Sequence, residues 1–341
     1  MKPTPTTPHN ARVRTGRNVL TSTPKISIVI PAYNSAAFIS ATLDSVLAQK
    51  FREYEIIVVN DGSPDTVRFE REIRTRLEDI VYIKQHSAGA GPARNTAIEH
   101  ARGEFIAFLD ADDIWLPEYL ATQYVYLNRN NLDMVYCDAM LFGDNSAYRR
   151  TFMETAPSNG TVDFDSLLAL TCNVITSGTI ARKETLIRAG LFETERVRAH
   201  DFHLWLRMAK AGAKIGYQTK VLLKYRVHPA SLSGDSISRI EREIDAFGRV
   251  ARTIDLTDAQ AERVQKMLTR LEADLAVEEG KSHLLKGEYD EATVAFRVAN
   301  KYRRSLKLSA VIFMIRLAPG SLVKYFRKYR FEELALTRHQ F

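Results

Sequence analysis

Apolar residues fall in two rhythms along this chain. Short, nearly continuous apolar runs stand at 26–30 (ISIVI), 54–60 (YEIIVVN), 80–85 (IVYIKQ) and 105–110 (FIAFLD). Most are rich in β-branched residues. Pro31, Asn34 and the stretch Asp61-Gly62-Ser63-Pro64 punctuate the first two, so the runs read as buried strands. Between them the spacing turns helical. Phe38, Leu43, Val46 and Leu47 form a stripe within 36–49, residues 66–78 continue the alternation, and a further helix opens at Gly91-Pro92. Proline suits a first helical turn because its missing N–H is not needed there. Strand–helix alternation with apolar strands predicts an α/β fold: a mostly parallel, Rossmann-like sheet with helices on both faces.

From about 117 to 235 the pattern is mixed. Helices are expected near 117–129, 183–189 and 201–211, and strands near 132–142, 174–181 and 214–226. From 236 onward charged and apolar residues recur at helical spacing. The stretch 278–301 reads as one helix–turn–helix unit of a tetratricopeptide repeat turning at Gly287. A single such unit cannot bury its own face and must pack on neighbouring helices. The expected organisation is a tail over 1–24, an α/β domain over 25–235 and an α-helical C-terminal region over 236–341.

Charge sharpens this division. The chain of 341 residues carries +7 overall, but the first 25 residues hold five cations and no acid. Residues 297–341 hold eleven Lys and Arg against Glu332 and Glu333, which leaves the middle mildly acidic. That distribution argues against a nucleic-acid groove through the core and suits a basic end meeting an anionic membrane. The N-terminal stretch has no apolar core of a secretory signal, so it reads as a disordered basic tail. No apolar run approaches the roughly 20 residues of a membrane span. Cys137 and Cys172 lie far apart in no metal-binding pattern, which fits a reducing, cytoplasmic setting, peripheral at the inner membrane face if the basic end binds lipid.

Candidate chemistry collects at strand ends. Ligands of such sheets bind outside the carboxyl ends of the strands, and there stand Pro31–Asn34, Asp61 and the run Asp110-Ala111-Asp112-Asp113. Carboxylates this close repel and are costly to bury unpaired. Either they form a solvated turn, with Asp113 capping the next helix, or an Asp-x-Asp pair faces a hard cation such as Mg²⁺ or Mn²⁺. The stretch HSAGAGPARN (86–95) reads as a glycine-rich turn with Arg94 aimed at an anion; its Gly89-x-Gly91-x-x-Arg94 spacing only partly fits a dinucleotide fingerprint. Asp201 opens an amphipathic helix, where capping is an available structural role. Arg226 and His228 close the last strand of the α/β part.

In order along the chain, ISIVIPAYN, IIVVNDGSPD, GPARNTAIEHARGEFIAFLDADDIWLPEYL and HDFHLWLRMAKAG…YRVHPASLS resemble the motifs of family 2 (GT-A fold) glycosyltransferases. The resemblance implies an inverting transfer of sugar from a nucleotide sugar, with UDP the expected nucleotide, to an acceptor hydroxyl. Cell-surface polysaccharide or glycolipid synthesis is the implied setting, and a saccharide, lipid-linked or protein acceptor the implied partner. Pro31, Ala32 and Tyr33 would line the base, and Asp61 would accept a hydrogen bond from the uracil ring. Arg94 would lie near the phosphates, with Asp110 and Ala111 by the ribose. Asp112 would hold a divalent metal, Mn²⁺ or Mg²⁺, that His228 touches from a closing loop. Asp201 matches the catalytic base, although His200 stands where the family usually has Glu.

Two other functions compete. A nucleotidyltransferase would need a Gly-x-Gly-x-Arg loop after the first strand, where this chain has PAYN. A non-catalytic scaffold would bind partners through the helical end, and the presence of Asp61, Asp112 and Asp201 counts against it.

Overall fold

The computed structural model describes residues 11–16, 23–143, 150–195, 199–227 and 236–336, with side chains to 327. The chain divides into two compact units, Met1–His228 and Pro229–Phe341.

The first unit is built on a nine-stranded mixed sheet. Four strands form its parallel heart: β2 (Ile26–Ala32), β3 (Tyr54–Asp61), β4 (Ile80–Gln85) and β5 (Phe105–Phe108). β2 pairs with both β3 and β5, and β4 lies outside β3. The chain therefore winds outward from β2 in one direction and returns to its other side with β5. That reversal places a crevice at the carboxyl ends of β2 and β5, where ligands of open α/β sheets bind.

Continuous burial of the strands follows from cover on both faces. Successive side chains point to opposite faces. Ile26, Ile28, Ile30, Ile56, Val58 and Ala107 join a core with Ile39, Leu43 and Val46 of α1 (Ile39–Leu47), Phe69 of α2 (Thr66–Glu72) and Leu120 and Leu127 of α4 (Tyr119–Arg129). Val29, Ile57, Val59, Ile106 and Phe108 are equally buried on the other face. There α3 (Ala90–His100) packs on β2 and β3, and Phe108 meets Phe192 and Trp205 edge-on.

Beyond β5 the sheet turns mixed. β8 (Thr179–Arg182) runs antiparallel to β5 and to β7 (Met134–Gly143), and β9 (Ile215–Val227) runs parallel to β7. β6 (Ile114–Trp115) closes that edge. The expected α/β class holds. The helix expected over 66–78 ends at Glu72, and a separate 3₁₀ turn covers Arg74–Arg76. The strand expected over 174–181 begins later, after a 3₁₀ turn at Thr176–Gly178. α5 (Phe164–Leu168) was not anticipated; Asp163 and Ser166 cap it reciprocally.

One correction concerns the N-terminal stretch, expected to be disordered over 1–24. Arg12–Thr15 forms β1, an edge strand antiparallel to β4 with Arg12 opposite Lys84 and Thr15 opposite Val81. All four of its residues are exposed. Backbone hydrogen bonds to the open edge of β4 hold it, and these leave no trace in hydrophobic patterning. Its arginines also suit an edge that must not recruit further strands.

The second unit is helical: α8 (Ser236–Thr253), α9 (Asp258–Lys286), α10 (Tyr289–Arg303), α11 (Leu306–Leu317) and α12 (Pro319–Leu336). Gly287 ends α9 in the left-handed region at φ +85°, a conformation glycine adopts without a Cβ clash. The first helix of the repeat-like unit is thus the end of a 29-residue helix. Ala276, Val277 and Leu284 of α9 and Ala292, Phe296 and Ala299 of α10 share one apolar cluster with Leu308 and Ile315 of α11.

Gly280 of α9 packs against the Phe296 ring of α10. A Cβ there would stand 2.9–3.0 Å from three atoms of the buried Phe296 ring. Alanine is the better helix former by about 1 kcal/mol, yet overpacking costs about 1–3 kcal/mol. Gly280→Ala should therefore lower the midpoint of chemical unfolding. A raised midpoint would show that the ring yields.

Candidate active site

Backbone hydrogen bonds and small side chains first fix the loops leaving the sheet. After β2 the chain turns at Asn34 (φ +52°). The Asn34 N–H donates to Ser63 Oγ at 2.6 Å and the Ala36 N–H to Asp65 Oδ2 at 2.8 Å, which stitches this loop to the one after β3. Ala32 is buried, Pro31 half-buried and Tyr33 58% exposed, so an apolar ledge at the end of β2 carries one aromatic ring in solvent.

Asp61 ends β3 and is buried. Its Oδ1 accepts from Gln85 Nε2 and the Ala88 N–H, each at 2.8 Å. Its Oδ2 accepts from the Gly89 N–H at 2.8 Å and Ser87 Oγ at 3.3 Å. A carboxylate has about four lone-pair sites, and all are engaged by β4 and the loop leading to α3. Asp61 therefore holds the glycine-rich turn in place.

That turn launches α3 and with it Arg94. The Arg94 side chain is 5% exposed, pairs through Nη2 with Asp110 Oδ1, lies 3.3 Å from His200 Nε2 and stacks over the Phe192 ring. Its Nε is buried without a hydrogen-bond partner. Gly91, one turn earlier, makes room for this contact, since a Cβ there would stand 3.2 Å from the His200 ring.

Asp110, Asp112 and Asp113 leave β5 together and meet different surroundings. Thr42 Oγ1 of α1 shares its one proton between the carbonyls of Ala111 and Asp113, both at 2.9 Å, and Ser177 Oγ accepts from the Asp110 N–H at 3.1 Å. The loop is thus held from both sides. Asp110 faces Arg94. Asp113 is buried; its Oδ1 accepts from the Arg226 N–H at 2.8 Å, and its Oδ2 has no hydrogen-bond partner. Burial, then the charges of Asp112 and Asp110, push the Asp113 carboxyl well above the usual range. Asp113 does not cap α4, whose N-cap is Glu118. Asp112 is half-buried, and its carbonyl accepts from Arg226 Nε at 2.8 Å. The Arg226 guanidinium lies between the rings of Phe38 and Phe142.

Asp201 lies in the first turn of α7 (His200–Lys210), whose N-cap is Ala199. Its Oδ2 accepts from Thr176 Oγ1 at 2.7 Å and its Oδ1 from the Phe202 N–H at 2.9 Å. Burial pushes this carboxyl up. The electrostatic effect of His200, the Thr176 hydroxyl, Arg94 and the Phe202 N–H outweigh burial and hold it below the usual carboxylate range.

Tyr225 ties the group together. Burial, then the carboxylates of Asp113, Asp110, Asp112 and Asp201, hold its phenol protonated. Asp110, Asp112 and Asp113 after β5 and Asp201 of α7 thus all act electrostatically on one tyrosine of β9. His228 lies outside the described residues. Among the described residues no group of three or more His, Cys, Asp or Glu could hold a metal unaided. A cage made wholly of protein is absent there; the donors present are hard oxygens of the kind that share Mg²⁺ or Mn²⁺ with phosphate oxygens.

The pattern described as glycosyl transferase family 2 matches residues 27–188. UDP-Glc:alpha-D-GlcNAc-diphosphoundecaprenol beta-1,3-glucosyltransferase WfgD of Escherichia coli is 31% identical over 227 residues, covering 65% of this chain and 85% of WfgD. The chain belongs to glycosyl transferase family 2. Among solved structures, S. aureus TarS 1–349 in complex with UDP-GlcNAc matches with a TM-score of 0.57 at 20% identity, over 90% of this chain and 92% of TarS. The mannosyltransferase PcManGT from Pyrobaculum calidifontis, in complex with GDP-Man and Mn²⁺, matches with a TM-score of 0.57 at 20% identity, over 93% and 85%. These two bear on the fold, which is GT-A.

In this glycosyltransferase the structure gathers Arg94, Asp110, Ala111, Asp112 and Asp201 at one sheet edge, and Pro31, Ala32, Tyr33 and Asp61 end the adjoining strands of the same edge. Sequence reading missed Thr176, Ser177 and Tyr225. Only Tyr225 had a signal, lying in the YRVHPASLS stretch beside Arg226. Membership of the family sets aside the nucleotidyltransferase and the scaffold.

Asp61→Asn places an amide –NH₂ against N–H donors and should cost about 1–3 kcal/mol, with faster amide exchange at 86–90. An unchanged unfolding midpoint with unchanged exchange would show that Asp61 does not hold the turn.

Proposed function

We propose that this glycosyltransferase moves a sugar from a UDP-sugar to a hydroxyl of a lipid-linked saccharide, with inversion, in the synthesis of a cell-surface polysaccharide or glycolipid. WfgD's name, with its UDP-sugar donor and diphosphoundecaprenol acceptor, supports that choice of substrates. The observation that carries the catalytic part is the half-buried Asp201 carboxylate, held by Thr176 Oγ1 at 2.7 Å at the same sheet edge as the Arg94–Asp110 pair.

In this reading the ledge of Pro31, Ala32 and Tyr33 receives the base. Asp110 and Ala111 lie by the ribose. Asp112 and His228 are the residues that would hold a divalent cation. Bound there, Mn²⁺ or Mg²⁺ would supply positive charge to the leaving diphosphate. Arg94, buried and paired with Asp110, adds fixed positive charge to the same edge, worth most where charge develops in a water-poor site. Asp201 takes the proton of the acceptor hydroxyl as that oxygen attacks the anomeric carbon. Displacement on the face opposite the leaving group inverts the configuration. Thr176 orients the base, and Tyr225 offers a hydroxyl that stays protonated.

Asparagine keeps the shape of Asp201 but cannot take a proton. Asp201→Asn should lower transfer by about 10²–10⁴-fold, with donor affinity near parental and a melting temperature lowered only by the loss of the ionised carboxylate's stabilising contribution. Near-parental transfer would remove Asp201 from the chemistry. The pH dependence has a definite sign. The folded carboxyl lies below its unfolded value, so its stabilising contribution is full above the usual carboxylate range and is lost as pH falls through the depressed value. The base is accordingly ionised across about pH 5–8, and the acid limb of transfer attributable to it should fall below that window.

A further inference from the structure

α11 is apolar on two opposite sides. Leu308 and Ile315, with Val311 and Ile312, pack into the cluster shared with α9, α10 and α12. On the opposite side Leu306, Phe313 and Leu317 are 87, 61 and 65% exposed. At about 100° per residue these three fall within roughly 40° of one another, nearly diametric to Leu308 and Ile315. Lys307 flanks this outer strip on one side and Arg316 on the other. On α12, Tyr325 is 55% exposed beside the exposed Lys324.

The charge around the strip has one sign. Residues 292–331 contain ten Lys and Arg and no Asp or Glu. Among the described residues, Lys307, Arg316 and Lys324 make no ion pair, whereas Arg303 is paired with Asp274 of α9. A helix apolar all round is expected to be covered on all sides, and the described part of this unit covers only one.

We infer that the outer face of α11, with the start of α12, docks in the plane of an anionic lipid surface. The chemistry selects this occupant. Leu306, Phe313 and Leu317 would enter the acyl boundary while Lys307, Arg316 and Lys324 meet lipid phosphates. A second copy of the same face would set cation against cation. A nucleic acid would satisfy the cations and leave Phe313 and Leu317 in water. Among the described residues no helix is long and apolar enough to cross a membrane, so the contact is peripheral. The inference does not depend on the catalytic reading, because lipid binding needs neither donor nor Asp201.

The test is flotation of the full chain with phosphatidylcholine vesicles, with and without phosphatidylglycerol. The parent should float only with the anionic vesicles, and Phe313→Gln/Leu317→Gln should weaken that binding by more than about tenfold. Lys307→Gln/Arg316→Gln should weaken it by about fivefold per cation. Melting temperature and donor binding should stay near parental in both variants, because all four side chains are exposed. The inference is overturned if the parent stays down with anionic vesicles, or if the apolar pair changes nothing. It is also overturned if the same pair of substitutions abolishes self-association or RNA binding while flotation persists unchanged.

Discussion

Asp110, Asp112 and Asp113 leave β5 within four residues and Asp201 lies at the same sheet edge; the repulsion among the first three is the constraint around which the site is built. Two unit charges about 4 Å apart interact by on the order of 4 kcal/mol at an effective dielectric near 20. Four at one sheet edge must be paired, protonated or joined by cations. Arg94 answers for Asp110 and helps hold Asp201 ionised. Burial and its neighbours drive Asp113 toward its neutral form. Asp112 is half-buried, with Arg226 bound to its carbonyl. Each carboxylate thus has its own solution, and the excess negative charge suits a divalent cation arriving with a nucleotide.

Placing Arg94 inside the protein has its own cost, because one orphaned buried charge destabilises strongly. The fold meets it by convergence of three elements. α3 carries Arg94, the end of β5 carries Asp110, and the start of α7 brings His200. Asp61 serves the same end from further away, since it anchors the turn from which α3 starts. The geometry of the site therefore depends on a chain of hydrogen bonds running from β3 through the glycine-rich turn to the guanidinium.

Much of this was legible in the sequence because two signals coincide there. Parallel strands buried on both faces show as unbroken apolar runs, and polar residues crowd their ends. That was enough to place β2 to β5, the helices between them and the carboxylates at their tips. What stayed hidden depends on distance or on backbone alone. Thr176 reaches Asp201 across 25 residues and the Arg226 N–H reaches Asp113 across 113, with nothing in either stretch to mark the pairing. β1 is held by main-chain bonds with every residue exposed, so no pattern of apolar positions could show it. Asp61 was legible as a residue of the edge. Its saturation by four donors became visible only with the turn folded onto it.

One measurement tests the central claim, that Asp112 holds a divalent cation arriving with the donor. Crystals of the full chain grown with UDP and Mn²⁺ should give an anomalous scattering peak at the manganese edge beside the Asp112 carboxylate, with the diphosphate on the Arg94 side of the same turn. Bound UDP with no manganese peak near Asp112, or a peak away from the Asp110–Asp112 turn, would contradict it.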